Sequence, residues 1–275
     1  MALSLPPIVT GIINGEEEAW STACTMLGAY YQPEGGPRSA FDLITSGDPY
    51  ADDTILAGID IAAMTALGVR LPAATVDRLL ADEELAGLIA QIPVLTDLVD
   101  ADDEMLDESS AAGRTWQYLT SPEGYGLTWK TAEALLARVR PALFPVITGV
   151  ERKALGLDKD MPSAWIQLRE ALRDADARLA YQLYYLIQTA PVWSELSQIQ
   201  VLMALVYTDA LHNRQATDAE VAQAKAEKRA RKAAKRQRKL EAAQARQAGK
   251  KTAASQPDLP DVDLISTDAF RLRES

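Results

Sequence analysis

The chain has 275 residues, 48% hydrophobic and 24% charged, with a formal charge of −11. That length supports one large or two small domains with real cores, and no apolar run approaches the ~20 residues needed to span a bilayer. A single cysteine, Cys24, excludes an internal disulfide; with a single histidine, His212, it excludes a Cys/His zinc centre and leaves any histidine-based catalytic centre dependent on His212.

The start, Met1 to Pro7, has neither a basic n-region nor a long apolar h-region, so no secretory leader is expected there. A cytoplasmic protein with no membrane partner is expected. Aromatic residues are only 6%, and Ala and Leu are abundant, which favours helices. Up to Pro37 the sequence predicts a short arm and one helix: Glu16, Glu17 and Glu18 suit a positive helix N-terminus, and Gly35-Gly36-Pro37 breaks the helix.

From Ser39 to Pro93, Asp52-Asp53-Thr54 leads into a helical stripe of Ile55, Ile59, Ala62, Ala63 and Ala66, closed by Gly68. Pro72 opens one further helix whose apolar face runs from Val76 through Leu79, Leu80 and Leu85 to Ile89, with Pro93 as its stop. Asp100 to Glu104 is an acidic cluster, but the positions where a calcium loop needs Gly and Glu hold Met105 and Ala111. It reads as a solvated loop or helix start.

From Ser109 to His212 the spacing predicts a helix at 115–119, a hairpin at 122–128 and a helix at 129–138. A long helix then starts at Met161-Pro162 and ends before Pro191, and a last body helix capped by Ser194 carries Leu196, Ile199, Leu202, Met203 and Val206. Trp165 and Trp193 read as core residues, and His212 as a polar residue closing that helix before Asn213. Thr217 and Glu220 have the spacing of a capping box for a separate tail helix. Past Gly249 the Pro/Asp/Ser-rich end reads as disordered.

Charge is segregated along the chain. Residues 1–219 hold 14 Lys/Arg against 31 Asp/Glu, a net of −17; residues 220–251 hold 12 against 3, a net of +9; the remainder carries −3. Lys228, Arg229, Arg231, Lys232, Lys235, Arg236, Arg238 and Lys239 fall within twelve residues. Like charges at i,i+4 repel on a helix, and a polyanion relieves the repulsion by releasing counterions. The segment has no interleaved aromatic for stacking on single strands, no apolar heptad stripe for a coiled coil and no bulky apolar face for a bilayer. DNA or RNA is the leading partner; an acidic protein surface, including the chain's own body, and a merely solvated helix are the alternatives.

The stretch Gly124-Tyr125-Gly126-Leu127-Thr128-Trp129-Lys130-Thr131-Ala132 resembles a helix-hairpin-helix element. The continuation Leu136-Ala137-Arg138-Val139-Arg140-Pro141 to Val146 resembles the segment that follows the hairpin in base-excision DNA glycosylases. It is still more similar to an uncharacterised actinobacterial family of unknown function. The resemblance implies that Gly126, Thr128 and Lys130 approach a phosphate at the second helix's N-terminus, with Arg138 and Arg140 nearby. Thr128 stands where the motif has its second glycine. Glycosylase chemistry is not expected to carry over, because Ile147-Thr148-Gly149 stands where those enzymes place an aspartate, and an exposed lysine, mostly protonated, is a poor nucleophile.

The expected architecture is all-α, eight to ten helices in a globular bundle with an extended basic C-terminal helix. Residues 1–38 form an N-terminal arm and helix, 39–216 the acidic body, 217–249 the basic helix and 250–275 a disordered end. No nucleotide loop, metal cluster, cofactor motif or catalytic triad is visible. The expected function is a non-catalytic nucleic-acid-binding or accessory protein; the alternative is a helical structural or regulatory protein, as in a phage- or defence-related assembly, whose tail binds an acidic protein.

Overall fold

The structure, a computed structural model, describes residues 3–32, 36–44, 56–94, 96–158, 160–190, 192 and 196–253. Among the described residues every regular element is a helix, twelve in all. They are α1 (Pro7–Asn14), α2 (Glu17–Tyr30), α3 (Pro37–Leu43), α4 (Gly58–Ala66), α5 (Ala73–Ala81) and α6 (Glu83–Ala90), followed by α7 (Asp103–Leu106), α8 (Ala111–Thr120), α9 (Trp129–Val139), α10 (Gly149–Leu155), α11 (Met161–Thr189) and α12 (Gln198–Ala253). The chain divides into two units, Met1–Gln215 and Ala216–Ser275. Asp52 to Ile55, Trp193, Ser194 and the end beyond Ala253 lie outside the described residues.

The first unit is organised around the start of α12. Ile199 and Val201 to Val206 are all buried, so this stretch is hydrophobic on every side, as a helix enclosed by others must be. Trp165 of α11 is fully buried, as expected, with Phe144 at 4.7 Å and Trp116 at 5.7 Å between ring centroids. The opening arm is itself a helix: Pro6 precedes α1, Pro7 takes its first position, where a missing N–H costs nothing, and Gly15 closes it at φ 76°.

The single helix expected between Pro72 and Pro93 is two. Asp82 adopts an extended conformation and caps α6, accepting from the Leu85 amide at 2.9 Å. Its other oxygen accepts from the Tyr118 and Tyr125 hydroxyls at 3.0 and 2.7 Å. The apolar stripe continues through the break, which conceals it in the sequence. Asp102 caps α7 at 2.7 Å, so the acidic cluster is a helix start. α10 follows a turn that gave no helical signal; it is seven residues long, capped by Thr148 and stopped by Gly156 at φ 68°.

Ser197 precedes α12; its hydroxyl accepts from the Gln200 amide (3.3 Å) while its own amide donates to the Gln200 side chain (2.9 Å). The helix runs without interruption past His212, Thr217 and Gly249. His212 therefore sits exposed within a helix rather than closing one, and Thr217 does not start a second. The reason is compositional: Ala, Gln and long straight side chains dominate from Ala204 onward, with no proline, and they hold a helix through the cap-like spacing of Thr217 and Glu220.

The candidate site at the α8–α9 corner

Ten residues carry the corner. Ser121 ends α8, its amide held by the Gln117 carbonyl (2.8 Å), and the chain then doubles back. The Tyr125 amide donates to Tyr118 O (3.0 Å), Gly126 N to Ser121 O (2.8 Å) and Leu127 N to Leu119 O (2.9 Å). Gly126 has φ 59°, a conformation that costs other L-residues roughly 1–2 kcal/mol. Gly124 is required for a different reason: a Cβ there would overlap the Tyr118 carbonyl oxygen. Thr128 then caps α9, its hydroxyl accepting from the Thr131 amide at 3.4 Å.

Gly126, Thr128 and Lys130 are exposed at this corner. The turn amides of Gly126 and Leu127 are already bonded within the turn, so an incoming phosphate would meet the Lys130 side chain and the first turn of α9. Lys130 Nζ lies 5.5 Å from the Trp129 ring centroid, and the Arg152 guanidinium 5.0 Å from it.

Arg138 and Arg140 do not share that surface. Arg138 is buried, with Nη2 and Nε donating to one oxygen of Asp60 at 2.8 and 3.1 Å. The second Asp60 oxygen accepts from the Ala57 amide (2.9 Å) and so fixes the start of α4. Arg140 is 1% exposed and donates to three carbonyls, Val139, Ile92 and Ile89, at 2.6, 2.9 and 3.0 Å. The two arginines expected near the hairpin's phosphate contact thus lie inside, where each is compensated by an anion or by oriented carbonyls.

The same corner forms one wall of a cavity of about 490 Å³. The turn after α4 supplies Gly68 to Arg70, α9 supplies Lys130 and Glu133, and the irregular segment before α10 supplies Ile147. Glu133 is 2% exposed, and its carboxylate accepts a hydrogen bond from the Ile147 amide. Burial pushes its pKa up to about 8, against the amide, Arg152 and Arg38, with nearby Glu151 adding to the rise.

Behind it, Glu151 is fully buried and accepts from the Thr148 amide (3.0 Å) and hydroxyl. Arg38 reaches Glu151 (Nε, 3.5 Å), Asp42 (Nη1, 3.4 Å) and the Val146 carbonyl (Nη2, 3.1 Å). Tyr30 donates to Asp42 at 2.8 Å. Burial lifts the Asp42 carboxyl above the usual carboxylate range despite Arg38.

Carboxylates thus do gather at Val146 to Thr148, supplied by α9 and α10 rather than by the segment itself. The sequence signal was Glu133 itself, an acid set between Ala132 and Ala134-Leu135-Leu136 on the buried face of α9. Among the described residues no cluster of His, Cys, Asp and Glu is arranged to hold a metal, and no helix is long and apolar enough to cross a membrane.

In the second unit, Lys228, Arg229, Arg231 and Lys232 are exposed on α12. Lys235, Arg236, Arg238 and Lys239 lie further along the same helix.

The model of one family of unknown function, DUF6308, matches residues 23–210. The chain belongs to the DUF6308 family. The match takes in every element of the α8–α9 corner and the cavity, and it ends before the basic stretch of α12. Neither a comparison with curated proteins nor one with solved structures gives a match.

Proposed function

We propose that this DUF6308 protein is a non-catalytic, cytoplasmic nucleic-acid-binding or accessory protein that contacts phosphates through the basic stretch of α12. The observation that carries the reading is the exposure of Lys228, Arg229, Arg231 and Lys232 on one uninterrupted helix. Lys228 and Lys232 stand at i,i+4, where like charges destabilise a helix until a polyanion screens them. The resemblance of the α8–α9 corner to a helix-hairpin-helix element supports a second, separate phosphate contact at Gly126, Thr128 and Lys130.

The test is fluorescence anisotropy with a short labelled duplex and a labelled single strand at several salt concentrations. Six to ten phosphate contacts weaken binding by about 10³–10⁵ between roughly 50 and 200 mM salt. Replacing Lys228, Arg229, Arg231 and Lys232 with Gln in the full chain removes up to four contacts and lowers the slope of log K against log salt by about three to four. An unchanged slope removes the basic stretch from the account.

The net charge of −17 on residues 1–219 favours a second reading, a helical structural or regulatory protein whose basic helix binds an acidic protein surface. Co-purification of such a partner that survives nuclease treatment, without duplex binding, selects that reading.

A further inference from the structure

The cavity beside α9 is a feature that a polycation on α12 does not use. We propose that it binds a small organic anion, with the acid group of the ligand between Arg70 and Lys130 at the mouth and a hydrogen-bond acceptor at its other end against the carboxyl of Glu133 at the floor. This inference is independent of the reading of the basic helix.

About 490 Å³ falls within the ~300–1,000 Å³ typical of small-molecule sites. The polarity is arranged along its depth. Arg70 and Lys130 are exposed, and among the described residues neither enters an ion pair, so both cations are available to a ligand. Val146 and Ile147 are buried apolar walls. Thr128 and Thr131 satisfy each other at 3.0 Å, and the Thr148 hydroxyl is taken by Glu151, which leaves Glu133 as the polar group of the floor.

Glu133 receives the Ile147 amide on Oε1. With its pKa raised to about 8, the carboxyl is mostly protonated at neutral pH, and Oε2 is the oxygen left to donate a proton outward. The charges acting on it from the elements packed around it are Arg152 and Glu151 on α10 and Arg38 on α3, with Arg70 and Lys130 at the mouth. The charged residues that line the cavity besides Glu133 are Arg70 and Lys130, both cations, so a cationic ligand is repelled. A neutral ligand would leave the mouth cations unused. An acid with a carbonyl or hydroxyl at its far end uses both ends of the cavity.

The experiment is calorimetric titration of the full-length protein with matched probes. 4-Acetylbenzoate and 4-acetylphenyl phosphate carry the acid and the acceptor, 4-acetylbenzamide lacks the charge, and 4-ethylbenzoate lacks the acceptor. Saturable binding of either acid, with the amide weaker by about tenfold or more, is the expected result. Whichever acid binds more tightly assigns the site to carboxylates or to phosphate esters.

The double variant Arg70→Ala/Lys130→Ala changes only exposed side chains and is expected to reduce acid binding to the level of the amide. Raising the pH from about 6 to about 9.5 is expected to weaken 4-acetylbenzoate more than 4-ethylbenzoate, because the first also loses the hydrogen bond from Glu133, and Glu133→Gln to remove that difference. Equal binding of acid and amide, full affinity in the Arg70/Lys130 variant, or no binding of any probe at millimolar concentration overturns the proposal. None of these outcomes bears on the salt dependence assigned to α12, so the two readings fail separately.

Discussion

Arg138→Met tests whether the arginines after the hairpin are structural. In the folded protein Arg138 and Asp60 are both buried and joined at 2.8 Å, and Asp60 also holds the amide that starts α4. Methionine keeps most of the volume and removes the charge, leaving the Asp60 carboxylate with the Ala57 amide but without its cation. Removing one partner of a buried pair costs about 3–5 kcal/mol. For a unit of this size that lowers Tm by roughly 6–20 °C. Thermal and urea denaturation measure it, with Asp60→Asn and the double variant completing a cycle. Because the double variant leaves no uncompensated charge, it should be less destabilised than the sum of the two singles. Nucleic-acid affinity and its salt slope should not change in the folded variant. A loss below about 1 kcal/mol, or a reduced salt slope at full stability, would refute the structural assignment and return Arg138 to the surface.

Glu133 gives a pH-dependent prediction. A carboxyl whose folded pKa is raised from 4.5 to about 8 binds more protons folded than unfolded within that window. It therefore favours the fold below about pH 4.5 and loses that contribution as pH rises to about 8, a change of roughly 4–5 kcal/mol. Glu133→Gln should flatten the decline in denaturant-measured stability between those values and be the more stable form at about pH 9; a parallel decline in both proteins counts against the assignment. The corner supplies a steric test. Gly124→Ala should destabilise by about 1–3 kcal/mol, because the new methyl meets the Tyr118 backbone oxygen, whereas Gly87→Ala, in open space on α6, should be neutral or stabilising by about 0.4–1 kcal/mol. Equal effects at the two glycines in denaturation would show that the turn opens readily.

The sequence disclosed the all-helical class and most helix positions because periodicity, proline and glycine are local signals. α2, α9 and α11 begin and end close to where their acids, Thr128 and Met161-Pro162 suggest. The break at Asp82 was hidden because its reason lies 36 and 43 residues away, in the hydroxyls of Tyr118 and Tyr125. The seven-residue α10 is too short for a periodic pattern to register. Thr217 and Glu220 had the right spacing for a start, but a cap requires the preceding chain to leave the helix, and nothing before Thr217 makes it do so.

The candidate site was half legible. Gly126, Thr128 and Lys130 stand out by glycine placement and by resemblance, while Glu133 looked like one more charge on a helix. Arg138 and Arg140 were misplaced because a guanidinium's burial depends on partners, Asp60 and the Ile89 and Ile92 carbonyls, that lie about 50 to 80 residues earlier.

Those arginines also bear on the order in which the body can form. Arg140 closes the end of α6 across 48 and 51 residues, Arg169 and Arg173 reach the Ala101 carbonyl across 68 and 72, Arg138 reaches Asp60 across 78, and Arg38 reaches the Val146 carbonyl across 108. In each case a polar end made early in synthesis waits for a partner made much later. Helical proteins fold fast when their contacts are local, and these ties are not. A ribosome adding about 5–20 residues per second holds α3, α4 and α6 without these distant partners for several seconds, so the emerging N-terminal half has its local caps, such as Asp82 on α6, but not its long-range polar ties until the α9–α10 segment leaves the exit tunnel.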